Sequence, residues 1–576
     1  MASARRILED RLRAAFDRVV PGADPVLRES DRADYQANGA LALAKKLGRP
    51  PREVAEQVVA EADLVDICSD VEVSGPGFVN LTLSPAFLAA RVAETLADPR
   101  LGVEPAPPRR VIVDYSAPNV AKEMHVGHLR TTVIGDALCR LLEFVGHDVG
   151  RENHIGDWGT PFGMLIEHLI DLGEEEAIQE LSLGDLGDFY RAARTTFDAE
   201  EAFRERSRRR VVLLQGGEPE TLRLWRVLVA ESIRHFDGVY ERLGVLLTDD
   251  DVVGESFYND LLPGVVEELA AKGLLVENDG AQCVYPPGFE NRNGDPLPLI
   301  VQKSDGGFGY AATDLAALRD RVHRLGASLI LYVVGAPQAQ HFEMVFAVAE
   351  MAGWLPPGTE AVHVSFGNVL GSDHKLLRTR AGDSVLLADL LAEAEARGAA
   401  AVASRDADLD PAQAARLGHQ VGIGAVKYAD LSTERHRDYV FDWDRLLSFE
   451  GNTGPYLQYA HARICSIFRR AADEGIPTVD AGSAPVLGEP EERLLALVLT
   501  ELGQTVEGSV ATYSPSKLCA YLYEVASAFT TFYERCPVLR APDEPTRSSR
   551  LLLCRLTERV LATGLGLLGI AAPGRM

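Results

Sequence analysis

Basic residues are in short supply in this chain. Lys and Arg total 58 against 85 Asp and Glu, a formal net charge of -27 over 576 residues. That balance excludes a generic nucleic-acid binder, whose affinity rests on positive surface drawing phosphate. A reader of nucleic acid with this composition has to confine its basic groups to one face. Paired cysteines are missing too: Cys68, Cys139, Cys283, Cys465, Cys519, Cys536 and Cys554 are scattered, with no CxxC and no zinc-like spacing. Reduced, mostly buried thiols and no protein-held metal are expected. No run reads as the ~20 apolar residues of a membrane span. The opening MASARRILEDRLRAAF alternates charge with apolar residues and lacks the unbroken apolar core of a secretory leader. The expectation is a cytoplasmic protein with no membrane partner.

Hydrophobic residues make up 46% of the chain, enough for packed cores, and the length predicts roughly three or four domains at ~150 residues each. Residues 1–105 read as a small α+β unit ending in VEVSGPGFVNLTL and closed by the proline-rich EPAPPRR. Over 106–391 the strand-like runs VIVDY, SLILYVVG and AVHVSFG alternate with helical patterns, the arrangement of a Rossmann-like, doubly wound parallel α/β sheet. Helical, charge-rich material and then a turn-rich stretch around PPGFENRNGDPLP interrupt it between about 173 and 330 and read as insertions. Arg204, Arg206, Arg208, Arg209 and Arg210 lie there; a solvated helix face and a nucleic-acid contact are both open for them. Residues 392–576 read as all-helical, with breaks expected at AEAEARGAAAVASRDADLD and VDAGSAPVLGEPEE.

The densest information lies in SAPNVAKEMHVGH, Ser116 to His128. Ahead of it Val111, Ile112 and Val113 predict an inner strand buried on both faces. Behind it Leu129, Val133, Ile134, Ala137, Leu138, Leu141, Leu142 and Val145 fall at helical spacing. His125 and His128 therefore sit where strand gives way to helix, and unpaired N–H groups with the positive dipole end there favour a phosphate. Gly127 lacks the Cβ that would hold a flat base off the backbone. Helix capping alone is the competing reading of an isolated HxGH.

SAPN followed by VAKEMHVGH and LRTTVIGDA resembles the HIGH motif of class I aminoacyl-tRNA synthetases, in the form used by bacterial-type arginyl-tRNA synthetases. The likeness runs from DYQANGA to the closing GIAAPGRM. It implies activation of L-arginine by ATP to arginyl-adenylate and transfer to the terminal adenosine of tRNA(Arg), with Mg2+ as counter-ion of ATP and a monomeric enzyme. The family's KMSKS loop falls on FGNVLGSDHKLLRTRAGD, which departs from the usual lysines and offers Lys375, Arg378 and Arg380. Lys122, just ahead of the histidines, matches the lysine thought to compensate. For the ATP site the resemblance implies these cations with His125, Gly127 and His128.

A guanidinium substrate calls for carboxylates and flat polar partners. Tyr310 and Asp314, four apart on one helical face, match the family's arginine-holding pair, and Gln338 matches its pocket glutamine. Asn119 and His128 match contacts to the main-chain end of the substrate, and Pro118 belongs to the same turn. Ala117 stands where some relatives have serine, so a contact there has to use backbone. Asp114, ending the first strand, is expected as a second guanidinium partner. For tRNA, Tyr456, Tyr459 and Arg463 match anticodon contacts, as do Tyr533 and the terminal Met576, since aromatic faces stack on unpaired bases. Packing is the alternative for the tyrosines. Phe78 and Asn80 match D-loop contacts of the N-terminal domain, with a plain strand-and-turn role as the alternative. A synthetase for another amino acid, a smaller HIGH-type nucleotidyltransferase and a silent tRNA-binding paralogue are the competing functions.

Overall fold

The computed structural model describes residues 3–183, 186–378, 384–405, 409–477 and 484–576. They form two compact units, one of residues 106–447 and 567–570, the other of residues 1–105, 448–566 and 571–576.

The first unit is built on a four-stranded parallel sheet in the spatial order Glu360–His363, Leu329–Tyr332, Arg110–Asp114, Asp148–Glu152. Val111, Ile112 and Val113 are buried on a strand paired on both edges, as their β-branched run predicts. From Asp114 the chain crosses by the helix Val126–Phe144 to the strand at Asp148, and only much later adds Leu329–Tyr332 on the other side. The direction of winding reverses beside the first strand, and the crevice at such a reversal is where doubly wound sheets bind ligands.

The predicted insertions are present: helices Glu174–Leu183, Leu186–Ala199, Glu201–Gln215 and Pro219–Leu243, then an antiparallel sheet of Val276–Asn278, Ala281–Val284 and Leu299–Gln302. The arginine cluster is largely paired, within the insertions or to the preceding helix Pro161–Leu172: Arg204 with Glu201, Arg206 with Glu167 and Asp171, Arg209 with Glu205, and Arg210 with Glu167.

The break expected in AEAEARGAAAVASRDADLD falls at its end, between the helices Leu387–Ala403 and Pro411–Leu431. The alanine-rich run is helical through Ala403, in Leu387–Ala403, because alanine has the highest helix propensity. Gly398 lets this helix lie close against Pro411–Leu431: a Cβ there would come within 2.3 Å of the Gly418 carbonyl.

In the second unit an antiparallel sheet in the order Leu27–Glu29, Tyr35–Ala37, Phe78–Leu83, Cys68–Ser74 accompanies helices drawn from both ends of the chain. The Tyr35 hydroxyl donates to Glu501 at 2.9 Å, and Arg493 pairs with Asp34. The run Pro490–Ala511, 22 residues, is long and apolar enough to cross a membrane by composition, contrary to the expectation that no such run exists. Half of its apolar window is buried inside the protein, where Leu495, Leu499, Leu502 and Val506 are core residues. All seven cysteines are free, and six of them are buried.

The first unit is knotted together electrostatically by Arg321, which has no solvent exposure. From the helix Tyr310–His323 its guanidinium donates to Asp114 at 2.8 Å and to Glu152 at 2.5 Å, while lying over the Tyr332 ring. Three strands and one helix thus share one charge cluster. Removing the cation leaves two buried carboxylates unpaired, which costs about 3–5 kcal/mol. Arg321→Met is therefore expected to lower the urea midpoint of this unit substantially. All four tryptophans, Trp158, Trp225, Trp354 and Trp443, belong to it, so tryptophan fluorescence reads that transition selectively.

Candidate functional site

Beyond Asp114 the backbone turns through left-handed conformations that side chains disfavour: Ser116 at φ 74°, Ala117 at φ 49° and Ala121 at φ 57°. Each costs about 1 kcal/mol or more and persists because hydrogen bonds over-determine it. The Ser116 amide donates to Thr131 Oγ1 (3.0 Å), Ala117 to Asn153 Oδ1 (3.0 Å) and Ala121 to Ser232 Oγ (2.9 Å). Tyr240 closes the network, 2.7 Å from Ser116 Oγ and 3.0 Å from Asn153 Nδ2. The Ala117 amide, the group expected to face a ligand, is thus taken up by Asn153. Pro118 is buried and its carbonyl accepts from Gly156, while Asn119 stands exposed beside Gly156 at the rim.

His125 caps the helix Val126–Phe144. Its Nδ1 accepts from the Gly127 amide at 3.0 Å, and His128 Nδ1 accepts from the His125 amide at 3.1 Å. Each neutral ring therefore carries its proton on Nε2, free of the backbone. Burial, then the neighbouring His125, push His128 down to about 3 against the opposing effect of its backbone bond. Burial and then Lys122 lower His125. Both rings are uncharged donors at neutral pH. Capping and ligand binding are not alternatives here, since capping is what aims Nε2 outward. Gly127 is needed by the His125 ring itself, whose Cε1 would lie 2.7 Å from a Cβ.

The basic loop returns to this turn. A tight hairpin pairs Leu370 with Leu376, and after it Val385 accepts from the Val126 amide at 2.9 Å while Leu387 donates to Met124 at 2.9 Å. Lys375 and Arg378 are exposed on that excursion; Arg380 lies outside the described residues. Lys122 is exposed, with its ammonium 5.0 Å from the centre of the Tyr190 ring.

Opposite charge gathers nearby. Tyr310, 76% exposed, and Asp314 begin the helix Tyr310–His323, and Asp314 meets His341 Nε2 at 2.5 Å. His341 lies one turn beyond Gln338, which ends the short turn after the strand Leu329–Tyr332. Asp157 accepts from the Ser256 amide and hydroxyl. Glu255, next in the chain to Ser256, is pushed up to about 7 by burial and then by repulsion from Asp157 and Asp314. A concave edge that keeps carboxylates this close is suited to a cation with several N–H donors. Asp114 meets a guanidinium as expected of it, but the protein's own, Arg321.

Sequence reading passed over Asn153, Asp157, Tyr240, Glu255, Arg321 and His341. His341 was within reach, three residues after Gln338 in the segment already singled out. Asn153 and Asp157 follow the strand Asp148–Glu152, Tyr240 and Glu255 lie in the insertion and Arg321 on the helix Tyr310–His323, and nothing local marks them.

In the other unit, the helix Gly454–Asp473 carries Tyr456, Tyr459 and Arg463. The Arg463 guanidinium sits 4.9 Å from the Tyr459 ring centre and 5.4 Å from that of Tyr533, whose hydroxyl accepts from Arg470. Tyr456 is packed instead, bonded to Thr530 and against Tyr523. The final residues run along another face of the same helix, with Ala571 and Gly574 carbonyls accepting from Gln458 and Arg469, and Met576 is partly buried. Phe78 is half-buried at the start of its strand. Asn80 is 5% exposed and bonded to Gln36 and Ser74, built into the sheet.

Comparison with known proteins bears on all of these residues at once. Residues 91–443 match the family described as class I (R) tRNA synthetases, catalytic domain; residues 457–576 match the DALR anticodon binding domain; residues 3–83 match the arginyl tRNA synthetase N terminal domain. The arginine–tRNA ligase of Thermobifida fusca is 54% identical over 573 residues, covering 100% of this chain and 99% of that one. Among solved structures, arginyl-tRNA synthetase from Plasmodium falciparum superposes with a TM-score of 0.85 at 28% identity, covering 100% of both chains. That from Thermus thermophilus gives 0.82 at 27% identity over 99% of this chain and 100% of that one. With its strained strand-to-helix turn, its paired histidines and matches along nearly its whole length, this chain belongs to the class I arginyl-tRNA synthetase family.

Proposed function

We propose that the chain activates L-arginine with ATP to arginyl-adenylate and passes the arginyl group to the 3′-terminal adenosine of tRNA(Arg), releasing pyrophosphate and then AMP. One observation carries the reading: an uncharged donor pair at a helix N-terminus and a basic excursion stitched to it face the same sheet edge as Asp157, Glu255 and Asp314. Phosphate belongs on the first side and guanidinium on the second.

Adenylation spreads negative charge over the α-phosphate and the departing pyrophosphate. His125 and His128 Nε2–H donors, the helix N-terminus, Lys122 and the cations Lys375, Arg378 and Arg380 would stabilise that charge. No enzyme nucleophile is required. Mg2+ would ride on the ATP phosphates, as it usually does. Among the described residues no group of three or more His, Cys or carboxylate donors close enough to cage an ion lies at this edge. Tyr310, Asp314 and Gln338 would hold the substrate side chain, with Asn119 and His128 at its main-chain end.

Residues 106–391 would carry the chemistry, 1–105 the contact with the tRNA elbow through Phe78 and Asn80, and 392–576 the stem and anticodon contacts. Tyr459, Arg463 and Tyr533 form the strongest candidate stacking surface, and Tyr456 and Met576 are the other anticodon candidates. We assign the enzyme to the cytoplasm as a monomer without a membrane partner.

Two outcomes test this reading. Purified protein supplied with a tRNA pool and each amino acid in turn should charge arginine alone. In Asp314→Ala, KM for arginine should rise more than about tenfold, since a charged hydrogen-bond partner is lost, with KM for ATP nearly unchanged; equal loss of both contradicts the pocket. The second is a pH profile. With Glu255 protonated below about 7, guanidinium has to displace that proton. Arginine affinity should therefore weaken as pH falls below neutrality, by at most about tenfold per unit, and level off above it. Calorimetric titration should show this slope in the wild-type protein and a flattened profile in Glu255→Gln; a flat wild-type profile contradicts the assignment.

A further inference from the structure

The surroundings of Cys465 contain three side chains that no step of the proposed reaction uses. His461 and Cys465 stand four apart on one face of the helix Gly454–Asp473, and Glu558 reaches them from the helix Glu544–Leu567. One ligand atom from each lies within 4.8 Å of the other two. His461 Nε2 is 3.8 Å from Glu558 Oε1 and 3.9 Å from Cys465 Sγ. The His461–Glu558 separation is too long for a good hydrogen bond. Tetrahedral zinc with ordinary Zn–N, Zn–O and Zn–S lengths sets its ligands about 3.3–3.6 Å apart, so a closing movement of about an ångström or less would complete the set.

The histidine is already oriented for such a role. Its Nδ1 bonds the Pro573 carbonyl at 2.9 Å, the outer partnership by which a metal-bound histidine usually fixes its tautomer and ring plane. That leaves Nε2 to the carboxylate, while Cys465 Sγ lies 3.9 Å from both ring nitrogens and would have to turn to come before Nε2. The ring is 4% exposed, and Arg555 anchors the carboxylate of Glu558 at 3.0 Å. Cys465 is also the one cysteine of the seven that is not buried, so an ion has a way in.

We propose that His461 Nε2, Cys465 Sγ and the Glu558 carboxylate bind one divalent transition ion of the zinc class, with the fourth position left to water. A nitrogen, a thiolate and a single carboxylate favour such an ion over magnesium or calcium, which take oxygen sets. The spacing was invisible as a zinc signature because only one cysteine takes part. The site would be structural: it clamps two helices and, through Pro573, the closing residues of the chain. It is independent of the catalytic reading, since none of its ligands belongs to that unit.

Full-length protein, stripped with chelator and titrated with Zn2+, should retain one ion per chain through gel filtration. Co2+ in its place should give tetrahedral d–d bands and a near-ultraviolet thiolate charge-transfer band. Cys465→Ser should abolish that band, and Cys465→Ser and Glu558→Gln should each weaken zinc binding about tenfold or more, both being close in size to the residues they replace. Cys283→Ser should leave binding and spectrum unchanged. Failure to retain stoichiometric zinc, or retention undiminished in Cys465→Ser, would overturn the proposal and leave His461 and Glu558 as an ion pair only.

Discussion

A single desolvated guanidinium organises the catalytic unit. Arg321 bridges the ends of two adjacent strands through Asp114 and Glu152, and it does so from the helix whose first turn carries Tyr310 and Asp314. Burying three charges gains little net stability, because desolvation consumes most of the attraction. Geometry is what the cluster fixes. The helix cannot slide or rotate without stranding a carboxylate, so the position of Asp314 relative to the sheet edge is set before any ligand arrives. The strained turn at Ser116 and Ala117 is held in a comparable way, by donors and acceptors from three separate elements. Preorganisation of this kind lowers the ordering cost that a reaction would otherwise meet on binding.

The electrostatics explain how so acidic a chain handles both an anion and a cation. Net charge says nothing local. At the histidine turn the donors are neutral imidazoles at the positive end of a helix, which attract phosphate without requiring a basic surface. Positive side chains there are Lys122, Lys375 and Arg378. Across the edge, burial first and then repulsion from Asp157 and Asp314 push Glu255 up to about 7. On the proposed reading, a guanidinium bound there would offset burial and repulsion together, and selectivity would follow from these carboxylates.

Legibility in the sequence followed the range of the interaction. Val111 to Val113 and the stripe from Leu129 to Val145 announced an inner strand and its crossover helix because strand and helix periods are local. The HVGH string, the excursion near Lys375 and the pair Tyr310 and Asp314 were readable because each motif is short. Asp114 was expected from its position to meet a ligand, and its capture by Arg321, 207 residues away, was not legible. Asp157 and Glu255 are brought together by the insertion, which no pattern connects to the sheet. The break in the alanine-rich stretch was legible, but not its place, because the helix propensity of alanine carries the helix on to Ala403. Asn80 was expected as a D-loop contact with a strand-and-turn role as the alternative, and only the register of its strand shows it spanning Gln36 and Ser74. The grouping of residues 1–105 with 448–566 is likewise a property of packing that no stretch of sequence encodes.

The central claim is that the carboxylate edge reads charge, and its most direct test is discrimination between L-arginine and L-citrulline, which keeps the shape and replaces the guanidinium with a neutral urea. Comparing kcat/KM for the two in tRNA charging isolates that difference. A site built from desolvated carboxylates should prefer arginine by about 10⁴ or more; values within tenfold of each other would contradict the account.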